Sequence, residues 1–157
     1  MLTRIDHVGI ACRDLDQAIG LYRATFGLEV VSLEMNEEQG VREAMLAVGP
    51  GAAADVLAGR PGYVQLLEPL APDTPVGKFL ARRGEGIHHV GYGVSDVGEA
   101  LAAIAGTGVR LLDERPRHGS MGASIAFLHP ADLGGVLTEL VQFASPVRLP
   151  HTGDKGI

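Results

Sequence analysis

Five polar residues interrupt segments that otherwise read as buried strand: His7, Glu43, Gln65, His89 and Glu139. Alternate residues of a strand share a face. On that rule Glu43 lies with Val41 and Met45, Gln65 with Tyr63 and Leu67, and Glu139 with Leu137 and Val141. A carboxylate on such an apolar face is costly to bury unless something answers its charge. A metal ion, or a water-filled cavity that holds substrate, would resolve the cost. Two imidazoles and two side-chain oxygens, from His7, His89, Gln65 and Glu139, form a donor set that suits divalent cobalt, manganese, nickel or zinc.

What groups these residues is a repeat. "IDHVGI" at residues 5–10 is echoed by "IHHVGYGV" at 87–94, at an offset of 82 residues. The same offset pairs Asp14 with Asp96 and Ala18 with Ala100. Leu15, Ala18, Ile19, Tyr22 and Phe26 recur at helical spacing, and so do Val97, Ala100, Leu101 and Ile104. Each set follows an aspartate suited to capping a helix. "GVREAMLAVGP" then aligns with "GASIAFLHP", which places Ile125 opposite Glu43. Past that point "YVQLL" and "LTELV" align at an offset of 74, with Gln65 opposite Glu139. The missing eight residues fall in the Gly/Pro-marked loop "PGAAADVLAGRPG".

Each half therefore reads as β-α-β-β-β. The expected organisation is α+β: a single domain over 1–143 made of module one (1–70), a linker (71–86) and module two (87–143). A short helix is expected over 75–83, and residues 144–157 read as a tail. Alternation places Ile5, His7, Gly9 and Ala11 on one face and Asp6, Val8, Ile10 and Cys12 on the other. In the second copy it turns His88 away from His89. Each selected histidine is left among small residues, with room for a ligand. His118, His129 and His151 fall in loops or the tail and have no repeat partner, Cys12 reads as a small buried hydrophobe, and Arg82 and Arg83 as a solvated helix end.

The bulk composition narrows the class. At 157 residues, 46% hydrophobic and 20% charged, this is an ordinary globular composition. The net charge of −6 argues against a general nucleic-acid or anionic-membrane surface. A lone cysteine, no signal-peptide pattern and no apolar run of spanning length lead to the expectation of a cytoplasmic protein with no membrane partner.

Three longer stretches carry a resemblance. "IDHVGIACRDLDQAIGLYRATFGLEV", "QLLEPLAPDTPVGKFLARRGEGIHHVGYGVSDV" and "IAFLHPADLGGVLTELVQ" resemble the methylmalonyl-CoA epimerase family of the vicinal oxygen chelate (glyoxalase) superfamily. The resemblance spans roughly residues 3–143. It implies a cup-shaped mixed sheet around a divalent metal, cobalt first, with manganese, nickel or zinc as alternatives. His7, Gln65, His89 and Glu139 carry over as its ligands and Glu43 as the catalytic carboxylate. It also implies an acyl-CoA substrate and a homodimer. The reaction would remove the C2 proton of methylmalonyl-CoA and return one on the opposite face, through a thioester enolate.

Apolar neighbours would raise the Glu43 pKa toward that of a working base. Because Ile125 stands where a second base would be, the opposite-face proton must come from Glu139 or from a water near His118, Ser120 or Ser124. Lys78, Arg82, Arg83, Arg117, Arg148 and Lys155 are all available to the CoA phosphates, and the sequence does not choose among them. The competing readings are a glyoxalase I-like lyase, an extradiol dioxygenase, which the extra donor Gln65 disfavours, and a metal-free small-molecule-binding protein of the same fold.

Overall fold

The computed structural model describes residues 1–49 and 61–143. Eight strands and three helices follow in the order β1 (Leu2–Ala11), α1 (Leu15–Phe26), β2 (Val30–Asn36), β3 (Val41–Val48), β4 (Gly62–Pro69), α2 (Pro75–Arg83), β5 (Gly86–Val94), α3 (Val97–Ala105), β6 (Arg117–His118), β7 (Ser124–Leu128) and β8 (Thr138–Gln142). The two β-α-β-β-β units and the connecting helix over 75–83 are as expected, except that β6 has shrunk to two residues. The loop 50–60 and the tail 144–157 lie outside the described residues.

The strands form one mixed sheet in the order β2-β3-β4-β1-β5-β8-β7-β6, curled into a half-barrel. β1 and β5, the first strands of the two units, pair antiparallel at its centre. Each also pairs in parallel with the last strand of its own unit, β4 and β8. The registers reproduce both repeat offsets: Gly9 lies opposite Gln65, and Gly91 opposite Glu139.

The helices begin alike. Asp14 accepts the Gln17 N–H at 2.9 Å and Asp96 accepts the Glu99 N–H at 2.8 Å. Each cap satisfies an amide that the helix cannot, worth about 1 kcal/mol. The first helical amide of each is also tied to the end of the unit's last strand: Leu15 N–H to Glu68 Oε2 at 2.6 Å, and Val97 N–H to Gln142 Oε1 at 2.9 Å. α1 then lays Leu15, with Ala18, Ile19 and Tyr22, on Ala44, Leu46 and Leu66. α3 lays Val97, Ala100 and Leu101 on Ala126, Leu128 and Leu140. Full burial of a leucine side chain stabilises by roughly 1.5–3 kcal/mol, so these faces fix the helices to the convex side of the sheet.

Phe26 does not complete its stripe. It ends the helix at 67% exposure, and Gly27 follows in the left-handed region at φ 68°. Cys12 is buried beside Leu15 as expected, and burial pushes its thiol up to about 12.

On the concave side, the flanks of the two sheet edges approach one another. Glu34 of β2 accepts the backbone N–H of Met121 at 3.0 Å, within a 3₁₀ turn over Ser120–Gly122. Arg117 of β6 stands between Asp113, at 3.3 Å, and Glu38, at 3.8 Å. The 3₁₀ turn therefore spans the mouth of the curl and brings Ser120 inside it.

Candidate metal centre and active site

At the centre of the sheet the two units exchange side chains. His7 pairs with Gly91, and His89 with Gly9. A Cβ on Gly91 would lie 2.3 Å from the His7 ring, and one on Gly9 would lie 2.3 Å from the His89 ring. Each imidazole thus rests on the other unit's backbone. The space that the small residues leave is filled by the rings themselves.

Their Nε2 atoms converge at 3.0 Å. Glu139 Oε2 reaches the same point, 2.8 Å from His7 Nε2 and 3.3 Å from His89 Nε2. The three donor atoms lie within 4.8 Å of one another and could hold a metal ion. Although it is this close, Glu139 Oε2 has no partner with hydrogen-bond angles. Lone pairs directed at a common point, rather than at one another, would give that result. Gln65 is adjacent. Its Nε2 donates to Glu43 Oε2 at 2.6 Å and to Ser120 Oγ at 3.0 Å, while its Oε1 is buried with no partner. Two imidazole nitrogens, a carboxylate oxygen and an orphaned amide oxygen therefore fit a divalent cation of the borderline class.

The charges agree with this fit. Burial pushes the Glu139 carboxyl up, but the pull of the adjacent His7 and His89 rings prevails and holds it at about 2. Burial lowers His7, yet Asp6 and Glu139 outweigh it and raise the ring to about 9. A proton on His7 then supplies the positive charge that a buried carboxylate demands. Glu43 behaves oppositely. At 1% exposure, burial raises its pKa against the opposing pull of Ser120 and Gln65.

Simple alternation misplaces three residues. The β1–β5 ladder is bulged, because Ile5 pairs with Tyr92 and His7 with Gly91, leaving Asp6 unpaired; likewise Ile10 pairs with Ile87 and Gly9 with His89, leaving His88 unpaired. A bulge re-aims side chains. Asp6 is not on the face opposite His7, since its Oδ1 lies 3.1 Å from His7 Nδ1. His88 is not turned away from His89, since their Nδ1 atoms are 3.0 Å apart. Ile5, expected on the His7 face, is instead 64% exposed. Burial, and then the neighbouring His89, lower the His88 ring to about 4.

Of the three residues proposed to hold a water, Ser120 reaches the site. His118 is exposed, and Ser124 lies in the β7 ladder. Among the candidate cations, Lys78, Arg82 and Arg83 of α2 line a cleft of about 460 Å³. It shares His88, His89, Leu112 and Leu137 with an adjoining cavity of about 280 Å³ that Arg117 also lines. His129 caps a turn by accepting the Ala131 N–H at 3.2 Å and also borders the cleft. Arg148, Lys155 and His151 lie outside the described residues.

Comparison with known proteins agrees with the geometry. Residues 6–127 match the family model of the glyoxalase/bleomycin resistance protein/dioxygenase superfamily. The ethylmalonyl-CoA/methylmalonyl-CoA epimerase of Cereibacter sphaeroides is 34% identical over 144 residues, covering 90% of this chain and 99% of that one. A Streptomyces coelicolor methylmalonyl-CoA epimerase variant, solved in complex with 2-nitronate-propionyl-CoA, is 54% identical. It superposes with a TM-score of 0.85 over 92% of this chain and 100% of its own. This chain belongs to the methylmalonyl-CoA epimerase family.

The methylmalonyl-CoA epimerase from Mycobacterium tuberculosis is similar as well, at 43% identity and a TM-score of 0.82, covering 92% of this chain and 90% of that one. Within the epimerase fold, the half-barrel and its three helices are common to this chain and its solved neighbours. Gln65 stands where its repeat position puts it. Ser120 is one of three water-holding candidates in the sequence, and the 3₁₀ turn is what brings it, rather than His118 or Ser124, to Gln65.

Proposed function

We propose that this protein interconverts the two epimers of methylmalonyl-CoA. The observation that carries the reading is Glu43: a carboxylate buried in the half-barrel, raised in pKa, and bonded to Gln65 beside the His7–His89–Glu139 cluster. A base that must take a proton from a weak carbon acid benefits from poor solvation of its charged form. Held by His7, His89, Glu139 and Gln65, a divalent metal would act as a Lewis acid toward the substrate's thioester and carboxylate oxygens, a contribution of several kcal/mol. Cobalt is the proposed ion.

The chain's own groups do the rest. Gln65 Nε2 and Ser120 Oγ fix the Glu43 carboxylate toward the cup. Glu43 takes the C2 proton. The proton returned to the opposite face has two proposed sources, Glu139 of the other unit and a water held at Ser120, and the low pKa of Glu139, about 2, favours the water. The cavity that His89 borders lies next to the cluster and would receive the acyl end of the substrate, and the adjoining cleft would receive the CoA arm. Lys78, Arg82 and Arg83 line that cleft, and none of them is in an ion pair with another described residue. Three unpaired cations on a chain of net charge −6 suit phosphate recognition. The residues outside 144–157 act as one domain, two copies assemble as a homodimer, and the compartment is the cytoplasm. Among the described residues no helix is long and apolar enough to cross a membrane.

The test is incubation of metal-loaded protein with one methylmalonyl-CoA epimer in deuterated water. Formation of the other epimer with deuterium at C2 is expected. No exchange, together with turnover of methylglyoxal and glutathione, would transfer the assignment to a glyoxalase-type lyase.

A further inference from the structure

The two histidines of the cluster are each preceded by a bulged residue, and the bulges occupy equivalent places in β1 and β5. An imidazole offers its Nε2 lone pair to a cation only when its hydrogen is on Nδ1. A buried Nδ1–H then needs an acceptor, or the ring loses more than it gains. For His7 that acceptor is Asp6 Oδ1 at 3.1 Å, and Asp6 Oδ2 is itself held by Arg4 Nη2 at 2.9 Å. For His89 the partner of Nδ1 among the described residues is His88 Nδ1 at 3.0 Å. Two ring nitrogens can share one hydrogen. If His89 Nδ1 donates, His88 Nδ1 must be bare and the His88 hydrogen must sit on Nε2. His88 is packed edge-on to Phe79, with centroids 5.1 Å apart, and forms part of the wall of both cavities.

The geometry points to Asp6 and His88 as the positioning residues of the metal centre, each holding the histidine that follows it with Nδ1 protonated and Nε2 free. The inference rests on the reading that His7 and His89 bind a divalent ion. The two supports are unequal. Asp6 is an anionic acceptor braced by an arginine, so His7 is the more basic ligand and the more firmly oriented. His88 is a neutral acceptor in the substrate-facing wall, so His89 is the weaker ligand and the one whose orientation responds to what fills the cleft.

The experiment is zinc titration of the metal-free protein against a chromophoric chelator, paired with nitrogen-15 NMR of the imidazoles in the zinc-loaded state. In the wild type, His7 and His89 are expected to show zinc at Nε2 and hydrogen at Nδ1, and His88 hydrogen at Nε2. Loss of an outer partner of this kind typically costs 10–100-fold in metal affinity. Asp6→Ala is expected near ~100-fold and Asp6→Asn, which keeps an acceptor, near ~10-fold. His88→Ala is expected near ~10-fold, with partial recovery in His88→Gln, whose amide oxygen can accept the same hydrogen.

The Asp6 variants should move only the His7 Nδ1–H resonance, and the His88 variants only that of His89. A merely structural role would move both and would show no recovery with glutamine. Unchanged zinc affinity in folded Asp6→Ala and His88→Ala proteins, or hydrogen on His88 Nδ1, would overturn the inference. Zinc binding with these shifts but no epimerisation would instead overturn the proposed reaction and leave the positioning roles intact.

Discussion

The two units of the half-barrel agree where they hold and differ where they would react. β1 and β5 each lay a histidine on the other's glycine, and β4 and β8 each bring an oxygen donor to the same level, Gln65 and Glu139. β3 and β7 diverge. Glu43 pairs with Leu67 at the position where Ile125 pairs with Val141. Ile125 is buried with Ala123 and Val141, an apolar answer to a site that in the first unit is a carboxylate. Burial of a second carboxylate there would have cost several kcal/mol with no amide to answer it. Duplication thus supplies a symmetric cradle, and the loss of symmetry on one pair of strands leaves a single buried carboxylate, the proposed base, on one side of the cup.

The largest effect should come from removal of that base. Glu43→Gln keeps the shape and is expected to lower kcat/KM by about 10²–10⁴-fold, the usual contribution of a general base. The same change should leave the fold intact or raise its stability at neutral pH. Burial raises the Glu43 pKa, so the folded state binds the proton more tightly than the unfolded chain. Stability is therefore lost as pH rises through the folded pKa and regained as pH falls. A neutral glutamine escapes that loss, and a gain of roughly 1 kcal/mol in urea unfolding is expected. A drop in stability instead would mean that Glu43 is a structural residue.

Next is the reverse exchange. Ile125→Glu restores the symmetry by placing a carboxylate between Ala123 and Val141, with an expected loss of about 3 kcal/mol in chemical denaturation. A variant as stable as the parent would show that the second unit can solvate a base after all. Gly91→Ala and Gly9→Ala probe the symmetric part. Each adds a methyl 2.3 Å from a histidine ring, so each should cost about 1–3 kcal/mol and weaken metal binding. The two losses should match, and a marked inequality would show that one histidine carries the centre. The smallest effect is on the pH profile. Glu43 must be ionised to act, so the acid limb of kcat/KM should lie above the ordinary glutamate value of 4.5, because burial raises it. A limb below that value would place another group in control.

Much of this was legible in the chain because its signals are periodic. Asp14 and Asp96, and the apolar spacings after them, announce two helices, and the offsets of 82 and 74 place His7, His89, Gln65 and Glu139 on equivalent strands. What escaped is aperiodic. A bulge inserts one residue into the count, and nothing in "IDHV" or "IHHV" marks it, so Asp6 and His88 were assigned to the wrong face. Ser120 is legible as one of three candidates to hold a water, but the choice among them is not, because it is made by a 3₁₀ turn with Met121 at φ 56°. Phe26 fits the helical spacing of its neighbours, but it is the last residue of α1 and lies exposed beside the left-handed Gly27.

The crossing of His7 over Gly91 and of His89 over Gly9 bears on how such a chain can change over generations. Once each copy had come to seat its ring on the other's backbone, neither could drift alone. A side chain gained at position 9 is felt at 89, and one gained at 91 is felt at 7. The copies differ away from that central pair, as Glu43 of β3 and Ile125 of β7 do. At their first strands they are bound to a shared history and are no longer two genes' worth of structure.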